Sequence, residues 1–266
     1  MGKNGLKNAL HLLIATLVLF FGMLQTAHAA DKRIGILVYD GVLTSDVTAP
    51  LEVFGVASRL TWFSDYEVLT ISVSDQKTIT TEEGLKIGVD AWIGDQPELD
   101  VLVLTSSYDM DALIENKDLI HFIQTTSKAA DWMASNCSGA YLLAEAGLLN
   151  GKKATTWAGG ENGLQKDYPA VDVQFDQNFV VDDGVITSNG SLVSYQAALK
   201  LLHLMTSESK AQEVADALQY SRFLPSHFKR ARTKPQVTFG VSEVTLQPTS
   251  TLQVLMLWKN KNVTKH

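Results

Sequence analysis

Cys137 is the one cysteine in a chain of 266 residues, and its neighbours are those of a thiol held ready for chemistry. The local sequence runs Asp131-Trp132-Met133-Ala134-Ser135-Asn136-Cys137-Ser138-Gly139-Ala140-Tyr141. A short apolar run ends at Asn136, two small residues follow the cysteine, and an apolar helical pattern then begins. This predicts a strand, a tight turn and a helix with the thiol at the turn. Such a turn strains the nucleophile's backbone and lifts its side chain clear of the sheet. It also aims a helix N-terminus at the sulfur, which favours thiolate over thiol and predicts a depressed pKa. The competing reading is an inert core cysteine, because free cysteine is among the most buried residue types. A lone cysteine forms no intramolecular disulfide, and an unpaired thiol in an oxidising compartment is a liability that points towards use.

The elements that must position this thiol follow from periodicity and turn residues. Residues 33–39 (Arg-Ile-Gly-Ile-Leu-Val-Tyr) read as a buried strand, and Asp40-Gly41 as a turn. Ser45 or Asp46 then caps a helix reaching about residue 60, with Pro50 in its first turns. Strands are expected at 66–73 and 100–104, with a polar hairpin between them at 78–87. A helix covers 117–130, and the helix after Cys137 runs to about 146. A short strand at 153–157, a helix near 162–166, strands at 171–181 and 184–188, and helices at 192–205 and 211–218 complete the set. Strands alternating with helices define an α/β fold, a doubly wound, mostly parallel sheet with helices on both faces. Sites in such sheets lie at the carboxyl ends of the strands. Asp46, the pair Ser106-Ser107 and Cys137 all fall there. The α/β domain is expected over 31–220. The remainder, 221–266, reads as a C-terminal extension packing on the domain. It carries Pro225, Pro235 and Pro248, a basic cluster Lys229-Arg230-Ala231-Arg232, and alternating runs at 236–239 and 251–257.

The first 29 residues read as a cleaved signal peptide. Lys3 and Lys7 form a positive start, Leu10 to Leu24 is an apolar run too short to span a bilayer, and Ala27-His28-Ala29 is a small-x-small cleavage site. The expectation is export to a periplasm, with membrane contact only during export. Without that leader the chain keeps 237 residues, enough for one well-buried domain. The leader holds two lysines and no acid, so the remainder has 20 basic and 29 acidic residues and a formal charge of −9. That excludes a phosphate-neutralising nucleic-acid face as the default partner surface. No Cys/His cluster has metal-ligand spacing, and no glycine loop would cradle a phosphate. No metal and no cofactor are expected.

Taken together, several motifs resemble the ThiJ/PfpI family, within the class I glutamine-amidotransferase-like superfamily with its flavodoxin-like sheet. The likeness runs from about Arg33 to about Ser207. Asp46-Val47-Thr48-Ala49-Pro50-Leu51-Glu52-Val53-Phe54 is similar to the family's segment after the opening strand. Asp100-Val101-Leu102-Val103-Leu104 leads into a turn. Cys137-Ser138-Gly139 is followed by Ala146-Gly147-Leu148-Leu149-Asn150-Gly151 and Ala154-Thr155-Thr156. Gly184-Val185-Ile186-Thr187-Ser188-Asn189-Gly190 precedes a helix. The nearest-looking branch holds isonitrile-hydratase-like proteins and the amidase-like domains fused to AraC-type regulators, here without a helix-turn-helix part. The resemblance implies that Cys137 is the elbow nucleophile or oxidisable thiol, that Asp46 lies against it, and that the Ser138 and Ser107 amides bind an oxyanion.

Two departures from the family pattern bear on mechanism. Ser106-Ser107 stands where Gly-Gly is usual. Trp157 stands where many members have histidine, which removes a Cys–His pair and makes Trp157, with Ser106, a pocket wall. His121, His203, His227 and His266 have no catalytic setting. A Cys–Asp mechanism stays open. One reading is an exported enzyme that hydrates or hydrolyses a small carbon–nitrogen compound, with Asp46 shuttling the proton. The other is a thiol sensor or metabolite-binding module whose Cys137 meets an oxidant. A scaffold with a dead site is the third, and a homodimer is compatible with all three.

Overall fold

The computed structural model describes residues 32–60 and 66–223. The signal-peptide reading and nearly all of the C-terminal extension therefore lie outside the described residues. The strands are β1 (Lys32–Val38), β2 (Tyr66–Ser72), β3 (Thr78–Thr80), β4 (Lys86–Gly88), β5 (Ala91–Trp92), β6 (Val101–Leu104), β7 (Trp132–Asn136), β8 (Lys153–Ala154), β9 (Asp172–Val173), β10 (Phe179–Asp182) and β11 (Val185–Ser188). The helices are α1 (Thr44–Leu60), α2 (Asp111–Ile114), α3 (Lys117–Thr126), α4 (Gly139–Glu145), α5 (Glu161–Asp167), α6 (Val193–Met205) and α7 (Glu208–Ala217).

Seven strands form the main sheet in the order β10-β11-β7-β6-β1-β2-β5. Every neighbour is parallel except β10, which runs antiparallel to β11. This is the expected mostly parallel, flavodoxin-like sheet. The central strands are apolar on both faces, as a sheet covered twice requires: Ile34, Ile36, Leu37, Val38 and Val101 to Leu104 are buried almost completely. Helices α1, α6 and α7 pack on one another, and α4 packs on α2, α3 and β7. The chain leaves β1 to one side for β2 and returns on the other side as β6. The carboxyl ends of β1 and β6 therefore flank the switch point where such sheets bind ligands.

The structure corrects the expected elements in three places. The single strand expected at 171–181 is two, β9 and β10, because Asp176 in between adopts φ +55° and breaks the extended run. The strand at 153–157 shrinks to β8, which pairs with β9 outside the main sheet. Between the β3–β4 hairpin and β6, Ala91–Trp92 adds an edge strand on β2 that two residues could not announce in sequence.

One glycine brings the elbow to the switch point. A Cβ on Gly139 would lie 2.8 Å from the Thr105 carbonyl oxygen and closer still to that of Leu104. Backbone does not yield as a flexible side chain would. The bare glycine lets the start of α4 close on the end of β6 and sets Cys137 beside Ser106.

Candidate active site

Cys137 has φ +51°, a left-handed conformation that costs a residue with a side chain about 1–2 kcal/mol. Hydrogen bonds hold it there from both sides. Its amide donates to the Ser188 carbonyl at 2.9 Å, and its own carbonyl accepts from the Thr156 hydroxyl at 2.9 Å. Gly190 (φ +78°) approaches so closely that a Cβ would stand 3.0 Å from the Cys137 nitrogen and 3.2 Å from Asp46 Oδ1. The elbow and the Asp46 carboxyl group thus converge on one glycine.

Asp46 is the third residue of α1 and has no exposed surface. It does not cap its own helix. Glu83, from the β3–β4 hairpin, accepts the Thr44 amide at 3.0 Å instead. The Asp46 carboxyl group turns inward to three serines. Oδ2 accepts the Ser106 hydroxyl at 2.5 Å, while Oδ1 accepts the Ser194 hydroxyl at 2.8 Å and the Ser191 amide at 2.9 Å. The thiol is not among these partners. Burial pushes the Asp46 carboxyl group above its ordinary pKa, and the bonds from Ser106, Ser194 and Ser191 oppose that rise.

The thiol's pKa is also raised, by burial first and by the Asp46 charge second; hydrogen bonding from Ser106 and Ser138 works against both. The expectation of a depressed pKa is therefore corrected. The helix behind Cys137 has only seven residues, and its end does not offset the loss of water around the sulfur and a carboxylate close by. Tyr39, whose hydroxyl donates to the Thr105 carbonyl at 2.9 Å, is pushed up for the same reason, burial.

Of the two expected oxyanion donors, Ser138 lies against the sulfur, and its hydroxyl donates to the Ser107 carbonyl at 3.0 Å. The Ser107 amide is directed at the Met110 sulfur, 3.4 Å away. A thioether is a weak acceptor, so a substrate oxygen would have to replace it. Trp157 lines the site, its ring stacked on Tyr141 with centroids 5.6 Å apart and 26° between planes. Cys137, Ser138, Ser107, Tyr141 and Trp157 border an open cavity of about 730 Å³ in which Asp111 is the one charged lining residue among the described residues. Ser106 lies behind this wall with no exposed surface. His121 and His203 are not among the lining residues, and His227 and His266 lie outside the described residues. Among the described residues no three His, Cys, Asp or Glu side chains converge as metal ligands.

Sequence reasoning missed Asn136, Ser191 and Ser194. Asn136 is buried, donates to the Asp46 carbonyl at 3.3 Å and accepts from Ser188 at 2.7 Å. Ser191, between β11 and α6, and Ser194, the second residue of α6, follow the strand end at Ser188, a position where the sheet rule would have found them.

A mostly parallel sheet of this order, with a strained cysteine turn after β7 and a buried acid after β1, defines a flavodoxin-like protein with a cysteine elbow. Residues 32–204 match the DJ-1/PfpI family model, and the chain belongs to the DJ-1/PfpI family. It is 28% identical over 194 residues to an isonitrile hydratase of Pseudomonas putida, covering 71% of this chain and 78% of that one. The fold is similar to a ThiJ/PfpI family protein from Pseudomonas syringae (TM-score 0.64, 24% identity, 75% of this chain and 79% of that). It is also similar to an AraC family transcriptional regulator from Pseudomonas putida (TM-score 0.61, 16% identity, 70% of this chain and 99% of that). No helix-turn-helix domain is evident among the described residues.

Proposed function

We propose that this protein is an exported enzyme that adds water to, or hydrolyses, a small carbon–nitrogen compound at Cys137 with Asp46 handling the proton. The observation that carries the reading is a strained thiol bordering an open cavity with a buried acid close behind it, both converging on Gly190. The Cys137 sulfur forms a bond to the electrophilic carbon, and its proton passes to the Asp46 carboxylate. The carboxylic acid returns that proton to the substrate. Where an amide is hydrolysed, the nitrogen so protonated leaves as ammonia or an amine; water then attacks the same carbon, the carbon–sulfur bond breaks and a proton from that water restores the thiol. The Ser138 amide supports negative charge as it develops. A largely apolar cavity whose only charged lining residue, among the described residues, is an acid suits uncharged substrates better than carboxylates. The similarity to an isonitrile hydratase makes small isonitriles the first compounds to try, followed by nitriles and amides. Export through residues 1–29 to a periplasm is part of the same proposal.

The test is turnover of that panel by the wild-type chain, Cys137→Ala and Asp46→Asn. Product formation that survives Cys137→Ala defeats the proposal. The sensor reading draws on one observation, Trp157 at the position where a histidine base would stand. It expects no turnover and a mass gain of two oxygens on Cys137 after mild peroxide. The raised thiol pKa weighs against it, because the thiolate is the form that oxidises.

A further inference from the structure

The Met110 sulfur sits where a substrate oxygen would meet the Ser107 amide, and the reaction proposed above has no use for it there. Met110 stands just before α2, and its carbonyl fixes it by accepting the Leu113 amide at 3.0 Å and the Ile114 amide at 2.9 Å. Three donors surround its sulfur: the Ser107 amide at 3.4 Å, the Ser107 hydroxyl at 3.5 Å and the Tyr39 hydroxyl at 3.8 Å. Both hydroxyls have better acceptors, the carbonyls of Asp109 and Thr105. The amide has, among the described residues, only the sulfur. A thioether satisfies such a donor poorly. Met110 is 8% exposed, yet it lines the open cavity beside Cys137. A small oxidant in that cavity meets a sulfur ringed by donors.

We propose that Met110 is an oxidation site, at which a hydroperoxide entering the cavity makes a sulfoxide whose oxygen takes the Ser107 amide and closes that oxyanion position. A sulfur lone pair attacks the near oxygen of the hydroperoxide and the oxygen–oxygen bond breaks. The near oxygen stays on sulfur, and its proton leaves with the distal oxygen as water or an alcohol. Sulfur is oxidised by two electrons and the hydroperoxide is reduced by two. The product is a polar side chain in place of an apolar one. Its oxygen accepts the Ser107 amide at about 2.9 Å, an ordinary N–H···O distance. Methionine is unbranched and turns about three bonds, so the sulfur draws back into the open cavity to make room. Unlike a thiol, a thioether needs no deprotonation before it reacts. Met133 is the internal comparison: it is 4% exposed, belongs to the core on β7 and is not among the lining residues.

The experiment treats the full chain with mild hydrogen peroxide and follows peptide masses, the amide NMR spectrum and turnover. A mass gain of one oxygen is expected about tenfold faster on Met110 than on Met133, because access governs the reaction. The Ser107 amide proton should move downfield as the sulfoxide forms. It should not move in Met110→Leu, a volume-conserving change that cores tolerate. The turnover reading rests on the proposed function. There peroxide should slow the wild type about a hundredfold, the cost of losing one oxyanion donor, and should leave Met110→Leu at its own untreated rate. Met110 oxidising no faster than Met133 would overturn the proposal. So would a Ser107 amide that stays in place when Met110 is oxidised, or that moves equally in Met110→Leu. Equal losses of turnover in the two chains would put the damage at Cys137 and overturn it as well. A substrate panel without turnover defeats the proposed function alone, since the mass and amide readings need no substrate.

Discussion

Replacing Asp46 by asparagine should stabilise this protein increasingly as pH rises, while destroying its chemistry. The side chain is fully buried and, among the described residues, has no cation for a partner. Burial raises its folded pKa above the unfolded value of about 3.9. A carboxyl group with a raised folded pKa binds more protons folded than unfolded between the two values. Its contribution to stability is therefore fully present below the unfolded pKa and is lost as pH rises through the folded one. Across that window the loss amounts to about 1.4 kcal/mol per pH unit, the free energy of one proton. Asparagine has no charge to desolvate. Its oxygen can still accept from Ser191 and Ser194, and its amide can donate to Ser106, whose hydroxyl rotates to suit. The stability difference between Asp46→Asn and wild type should be smallest near pH 4 and grow towards pH 7. Urea unfolding at pH 4, 5.5 and 7, compared at constant m, measures it. A difference that is flat with pH, or that shrinks as pH rises, would refute the claim that burial outweighs the three hydrogen bonds.

Gly139→Ala should lower stability by about 1–3 kcal/mol, as forced overpacking does, because its Cβ meets the backbone carbonyls of Leu104 and Thr105; a Tm within a degree of wild type would contradict it. Iodoacetamide labelling of Cys137 against pH should have its midpoint above the free-thiol value of about 8.5, since burial and the Asp46 charge both push the thiol up; a midpoint at or below that value would show the pocket to be better solvated than its geometry implies. N-terminal sequencing of the exported protein should begin at Ala30 or Asp31, and an intact Met1 in the membrane fraction would defeat the leader reading.

The sheet was legible because parallel strands buried on both faces leave continuous apolar runs, and 33–39 and 100–104 are such runs. The elbow was legible because an apolar run, a cysteine, two small residues and a helical pattern in succession fit a strand–turn–helix and little else. What was not legible depends on which way side chains turn across long sequence separations. Asp46 occupies a first-turn position where an acid normally serves its own helix, and nothing local reveals that Glu83 takes over there. Ser191 and Ser194 lie 145 and 148 positions from the carboxyl group they hold. The thiol's pKa was misjudged because sequence shows the helix end but not the depth of burial, and here burial is the larger influence.

Trp157 and Asp46 belong to one physical account. A histidine beside the elbow would supply a base that titrates near neutrality and holds the thiolate by its own positive charge. An indole does neither, and Trp157 spends its surface stacking on Tyr141. The remaining base near the sulfur is a carboxylate, which repels a thiolate instead of attracting it. A Cys–carboxylate site can work only if the proton leaves the sulfur as the new bond forms, so that two negative charges never coexist. Ser106, Ser191 and Ser194 surround the carboxyl group, the shortest of their bonds being the 2.5 Å one from Ser106. The three serine bonds oppose the rise that burial imposes on the Asp46 carboxyl group.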